Sequence, residues 1–391
     1  MKLNRLLFLL AALQTVFTAH ADLTAIFTNA APAAANARRP SIIFIQCHGL
    51  ARGDLSCYGQ TNFQTPNLDR LAAGGVRFTH YTGGADSAAT TAELLAGKNS
   101  APATGEANLA QRLRAGGYHT GLIGEWGLAG RPWTQGFDEF AGFLDDAEGM
   151  NYYSDFVWRY APKSIFNETN QAFTDYTGKE PLYPNLGGKK GKYLPELLVN
   201  AMDNFIRINA PDAANRWHPF FLLVDFSAPR TATAGANDFP VPSDAPFTDA
   251  PWPQAAKNRA SLITRLDGGI GRLFEQLEKS KMTNNFVIFF TSSSAPEKFA
   301  GTNLNFLLPA GDFRDEKNTV PLPMIVNWPE KIPAGRTSDA PWSAVDFAPT
   351  ALEIGFVKPV TNFAGISVLP TLLGEVETNT PAERERLDRP Y

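Results

Sequence analysis

Short unbroken apolar runs recur along this chain, and between them apolar residues return every three or four positions. The clearest runs are Ile42-Ile43-Phe44-Ile45, residues 220–224 and residues 286–290. Apolar runs of this length without alternation predict strands covered on both faces, as in a parallel sheet. Residues 118–123 and 324–326 predict two more. Helical spacing starts after Thr65-Pro66, runs through Leu68 and Leu71, and stops at Gly74-Gly75. The Thr65 hydroxyl is placed to accept from an orphan backbone N–H, and Pro66 has no N–H to lose at the first helical position. Further helices are predicted over 109–115, closed by Gly116-Gly117, and over 196–208, with Leu198, Met202, Phe205 and Ile206 on one face. Two more are predicted over 256–277, through Gly268, Gly269 and Gly271, and over 347–354. Strands alternating with helices predict an α/β fold with a doubly wound, mostly parallel large sheet and helices on both faces. Sites in such sheets lie beyond the carboxyl ends of the strands. Residues 46–49, 124–127, 227–230 and 291–294 are therefore expected at one rim.

The ends of the chain read differently. Lys2 and Arg5 precede an apolar stretch from Leu6 to Phe17 broken by Gln14 and Thr15, and Ala19-His20-Ala21 has the small-residue spacing of a cleavage site. Residues 1–21 are thus expected to be a cleaved signal peptide, which makes the protein exported, periplasmic or secreted. The stretch falls short of the roughly 20 apolar residues that span a bilayer, so no stable membrane anchor is expected after cleavage. Residues 22–40 read as an Ala-rich flexible lead-in, 41–376 as the α/β domain and 377–391 as a tail. The formal net charge is −4, and loss of Lys2 and Arg5 makes the remainder more acidic. No long basic run offers a face for nucleic acid. Cys47 and Cys57 are the only cysteines, too few for a disulfide framework, although one bridge between them stays open. Asn167-Glu168-Thr169 matches a glycosylation acceptor, a weak signal on its own.

Many segments carry a resemblance, and they do so in order. SIIFIQCHGLARGDLSCYGQTNFQTPNLDRLAAGGVRFTHYTGGADSAATTAELLAGK (41–98), GYHTGLIGEWGL (117–128), GFDEFAGFL (136–144), YYSDFVWR (152–159), LDGGIGRLFEQLE, NNFVIFFTSSSAP, PMIVNWPEKIPAG, VDFAPTALEIG and FAGISVLPTLLGE (363–375) resemble the arylsulfatase-like sulfatases of the alkaline-phosphatase superfamily. The resemblance implies an alkaline-phosphatase-like fold, sulfuric ester hydrolysis, Ca²⁺ as cofactor and a small C-terminal subdomain. Asp388 to Tyr391 resemble only the start of that subdomain's first strand, so it is expected to be missing.

The positions that the resemblance would charge with chemistry depart from it. The family's cation cage corresponds here to His48, Gly49, Ser293 and Ser294, with no carboxylate among them. A hard cation needs charged oxygen ligands, so no metal and no cofactor are expected. Ser87 stands at the nucleophile position. The family's C/S-x-P-x-R motif, whose first residue becomes formylglycine, reads Ser87-Ala88-Ala89-Thr90-Thr91. Clamp positions read Thr91, Glu125 and Gly127, Arg230 replaces a histidine, and the later lysine falls at Asp312 or Arg314. Two readings follow. One is a catalytically inactive sulfatase-like protein, a pseudoenzyme that binds an anion or a sulfated or acidic glycan through Arg230. The other is an active sulfate or phosphate ester hydrolase that uses Ser87 with His48, or a metal site drawn from Asp54, Asp86 or Asp225.

Overall fold

The computed structural model describes residues 39–99, 106–161, 176–212, 215, 217–231, 239–296, 307, 320–358 and 363–375. The predicted signal peptide, most of the lead-in, Asn167, Asp312, Arg314 and the tail lie outside the described residues. One eleven-stranded sheet organises the rest. Its parallel centre consists of β1 (Ser41–His48), β3 (His119–Glu125), β4 (Glu139–Phe143), β7 (Phe220–Phe226) and β8 (Phe286–Ser294), in the order β8-β1-β7-β3-β4. On one side β9 (Leu322–Asn327) runs antiparallel between β8 and β2 (Val76–Thr82), and β10 (Arg336–Ser338) and β11 (Trp342–Ser343) pair parallel to β2. On the other, β5 (Phe156–Ala161) and β6 (Tyr176–Pro181) extend β4 as an antiparallel meander. The predicted mostly parallel sheet is thus present, with antiparallel edges that the apolar runs did not announce.

Both faces are covered, which explains the unbroken apolar runs. Ile43, Ile45 and Cys47 of β1 pack with α1 (Pro66–Ala73), α5 (Leu194–Asn209) and α6 (Gln254–Lys279). Ile42 and Phe44 point the other way, into a core with α2 (Ser87–Ala96), α3 (Leu109–Ala115), α7 (Phe347–Ile354) and α8 (Leu369–Leu373). Glycines inside α6 mark close approach of helices: a Cβ on Gly269 would meet Val199 of α5 at 2.9 Å, and one on Gly271 would meet the Asn67 side chain of α1 at 2.8 Å. α1 begins at Pro66 as predicted, but Thr65 does not cap it. The Thr65 hydroxyl instead bonds Ser56, and the free N–H groups of Asn67 and Leu68 donate to Asp267 of α6. Tertiary contact has replaced the local cap. Cys47 and Cys57 are free thiols, so the bridge left open by the sequence is not formed.

One buried ion pair fixes the loops that carry the rim. Arg259 of α6 and Asp54, in the turn after β1, are 1% and 0% exposed and pair at 2.5 Å. The same guanidinium donates to the carbonyls of Gly49 and Pro229 at 2.9 and 3.2 Å, tying the loop after β1 to the loop after β7. Asp54 also accepts from the Ala51 N–H at 2.7 Å. This is the structural use of Asp54, and it removes Asp54 from the metal candidates. Breaking a buried pair strands its partner's charge. Asp54→Ala is therefore expected to destabilise the protein by about 3–5 kcal/mol in urea unfolding; a loss below about 1 kcal/mol, the range of an exposed pair, would contradict the assignment.

Candidate functional site

The four predicted rim segments converge. His48 and Gly49 end β1, Glu125 ends β3, Arg230 follows β7 and Ser294 ends β8, and all of them line one cavity of about 290 Å³. Asp86, Ser87 and Ala88 enter it from the start of α2, and Asp146 and Met150 from the short α4 (Asp146–Gly149) and the residue after it. Asp86 caps α2 by accepting from the Ala89 N–H at 2.8 Å.

Ser87 sits in the first turn of α2, with its Oγ 3.0 Å from Ser293 Oγ and 3.1 Å from Ser294 Oγ. His48 does not serve it. The imidazole Nε2 lies 2.7 Å from Asp225 Oδ1, and Nδ1 has no hydrogen-bond partner. Asp225 is held from behind by Gln46 Nε2, which donates to its other oxygen at 2.5 Å and to Thr91 Oγ1 at 2.7 Å. Thr91, in the clamp position, thus supports a buried polar chain and is not among the residues that line the cavity. Burial alone would push the His48 imidazole down, but the charges of Asp225 and Glu125 outweigh it and hold the proton affinity above the ordinary value.

Arg230 is engaged. One of its terminal nitrogens donates to Glu125 Oε2 at 2.6 Å; the other pairs with the Asp146 carboxylate. Burial raises the Glu125 carboxyl to about 7, less than it would without the opposing charges of His48 and Arg230. Burial also raises Asp146, but the paired guanidinium reverses this and holds it below the ordinary value. Room for this arrangement comes from Gly149: a Cβ there would lie 2.2 Å from Glu125 Oε2 and 3.2 Å from an Arg230 nitrogen. Gly127, at φ +62°, leaves the Glu125 side open.

The donor set does not fit Ca²⁺. Gly49 brings no side chain, the Ser293 and Ser294 hydroxyls bond Ser87 and backbone, and Asp225 is spent on His48 and Gln46. A hard cation of this kind takes six to eight oxygens, several of them charged. A different grouping does come together: His48, Glu125 and Asp146 place one potential ligand atom each within 4.8 Å of one another. The expectation of no metal followed from the family positions alone and did not foresee this cluster. Asp146 and Gly149 escaped the sequence reading, and Gln46 entered it only as the first residue of a rim segment. Asp225 carried a signal, a carboxylate inside an otherwise apolar strand; Asp146, one of several acids in a surface turn, carried none.

The sulfatase family model matches residues 40–355, and the chain belongs to the sulfatase family. It is 27% identical to an N-acetylgalactosamine-6-O-sulfatase of Bacteroides thetaiotaomicron over 76% of this chain and 69% of that protein. Human N-acetylgalactosamine-6-sulfatase is 26% identical over 85% of this chain and 66% of its own length. The chain therefore spans about two thirds of these relatives. Among solved structures, Ps i-CgsB in complex with k-i-k-neocarrahexaose superposes with a TM-score of 0.68 at 26% identity, over 86% of this chain and 76% of the other. No helix among the described residues is long and apolar enough to cross a membrane.

The charge state of Glu125 predicts a pH signature. Its folded pKa of about 7 lies above the ordinary 4.5, so the native state holds this proton more tightly than the unfolded chain. The resulting stabilisation is complete below about pH 4.5 and is lost as pH rises through about 7. Relative to Glu125→Gln, the wild type should lose on the order of 3 kcal/mol across that window. A stability difference that stays flat between pH 4.5 and 7.5 in parallel urea melts would contradict the burial argument.

Proposed function

We propose that this sulfatase-family chain does not hydrolyse sulfate esters and that its pocket serves recognition without turnover. The observation that carries the reading is the Arg230 guanidinium held between Glu125 and Asp146. The charge of Arg230 is neutralised from within, and Glu125 lines the same cavity. Ser87 adds no compensating reactivity. A serine hydroxyl needs a base or a metal to attack an ester, and among the described residues Ser87 Oγ hydrogen-bonds two further hydroxyls. The altered residues at 89 and 91 also remove the pattern by which a serine or cysteine is converted to formylglycine.

Glycan recognition is supported by the relatives, which are named for sulfated amino sugars, and by a neighbouring fold described with a carrageenan oligosaccharide bound. On this reading a sulfated or acidic glycan enters the cleft, and its anion reaches Arg230 only by displacing Glu125 or Asp146. Residues 1–21 are read as an export signal, which would place the protein where such glycans occur.

The alternative, an active ester hydrolase using Ser87 in a non-standard site, is separated by direct assay. We expect no turnover of aryl sulfates or phosphates above background, and mass spectrometry of the Ser87 peptide should give an unmodified serine. Turnover that Ser87→Ala abolishes would overturn the inactive reading. For recognition, a sulfated oligosaccharide should raise the melting temperature, and Arg230→Ala should remove the rise; if no such ligand produces one, the glycan role falls.

A further inference from the structure

The same pocket contains a histidine prepared for something other than its present neighbours. His48 is 2% exposed, and its Nδ1 has no hydrogen-bond partner although buried nitrogens are normally paired. That nitrogen faces Glu125 Oε2 at 4.0 Å, with the exposed Asp146 carboxylate completing the group. Asp225 holds the opposite ring nitrogen at 2.7 Å and is itself fixed by Gln46. In the neutral imidazole, a proton on Nε2 donated to Asp225 leaves the lone pair on Nδ1, whose nitrogen lies within 4.8 Å of an oxygen of each of two carboxylates. Backing an imidazole with a carboxylate is how proteins orient metal-binding histidines and raise their basicity.

We propose that His48 Nδ1, Glu125 and Asp146 form a site for one borderline divalent cation of the zinc class, with Arg230 as its built-in competitor. One imidazole and two carboxylates suit zinc or cobalt, which accept four ligands of mixed nitrogen and oxygen character. Tetrahedral ligands about 2.0–2.1 Å from zinc lie about 3.3 Å apart, so the three atoms must draw together from their present spread. Asp146, exposed on a four-residue helix, has the freedom to supply that movement. Arg230 now bridges the two carboxylates, so the metal enters as the guanidinium leaves. Exchange of one cation for another keeps the two carboxylates compensated and turns Arg230 out towards the cavity. The inference is independent of whether the protein turns over an ester.

The test is calorimetric titration of the full, tag-free chain with Zn²⁺ at pH 8, together with the visible spectrum of its Co²⁺ form. A single saturable Zn²⁺ equivalent is expected, with d–d absorption from a four- or five-coordinate Co²⁺. Asp146→Asn should weaken Zn²⁺ binding by about tenfold or more. Arg230→Gln should tighten it, because the competing charge has gone. Asp146 is on the surface, so its variant should fold as the wild type does, checked by thermal melt. Absence of saturable binding at micromolar Zn²⁺, or binding that neither substitution changes, would overturn the proposal.

Discussion

A single guanidinium determines what this pocket can do. Arg230 is clasped by Glu125, which is buried at the end of a central strand, and by Asp146, which reaches in from a short helix. Two unit charges about 4 Å apart at an effective dielectric of 20 interact by about 4 kcal/mol. A carboxylate paired with Arg230 therefore alters the field that an incoming anion meets on that scale. The remaining polar groups are arranged around this clasp. His48 leans on Asp225, Asp225 on Gln46, and Gln46 on Thr91, so that these four buried polar residues hold one another.

The scaffold below the clasp is that of a sulfatase. Parallel central strands deliver their carboxyl ends to one rim, and Arg259 with Asp54 locks two of the rim loops in place. The family fold is retained where burial demands it, in strands apolar on both faces and in the closely packed α5–α6 pair. On the function proposed above, the differences lie in polar residues at the strand ends, among them His48, Glu125, Ser293 and Ser294, which are themselves buried. A fold and its chemistry answer to different physical constraints, and on that proposed function the two have separated. Gly149 makes the clasp possible, since its missing side chain is the space that the Glu125 carboxylate uses.

Much of the fold was legible in the sequence because its strongest signals are also its physical necessities. Apolar runs at 42–45, 220–224 and 286–290 mark strands with no exposed face, and the helix over 347–354 lies where its spacing put it. The outer strands β5 and β6 are half-exposed or exposed and carry mixed residues, so they gave no run to read. The Thr65 cap failed for a non-local reason: Asp267, some 200 positions away, supplies the acceptor instead. At the site, convergence of the four rim segments followed from topology, and Ser87, Glu125 and Arg230 from their places in the family pattern. The pairing of Arg230 with Asp146 and the open Nδ1 of His48 could not, because both depend on distances between loops far apart in sequence.

Removing the carboxylate that holds Arg230 bears most directly on this account. Inorganic sulfate titrated calorimetrically at pH 8 into wild type and Glu125→Gln compares the pocket with and without its internal counter-charge at nearly constant shape. If Arg230 is neutralised from within, Glu125→Gln binds sulfate about tenfold more tightly or better, a change of about 1.4 kcal/mol. Wild type binding sulfate as tightly as the variant would mean that the clasp does not govern the pocket.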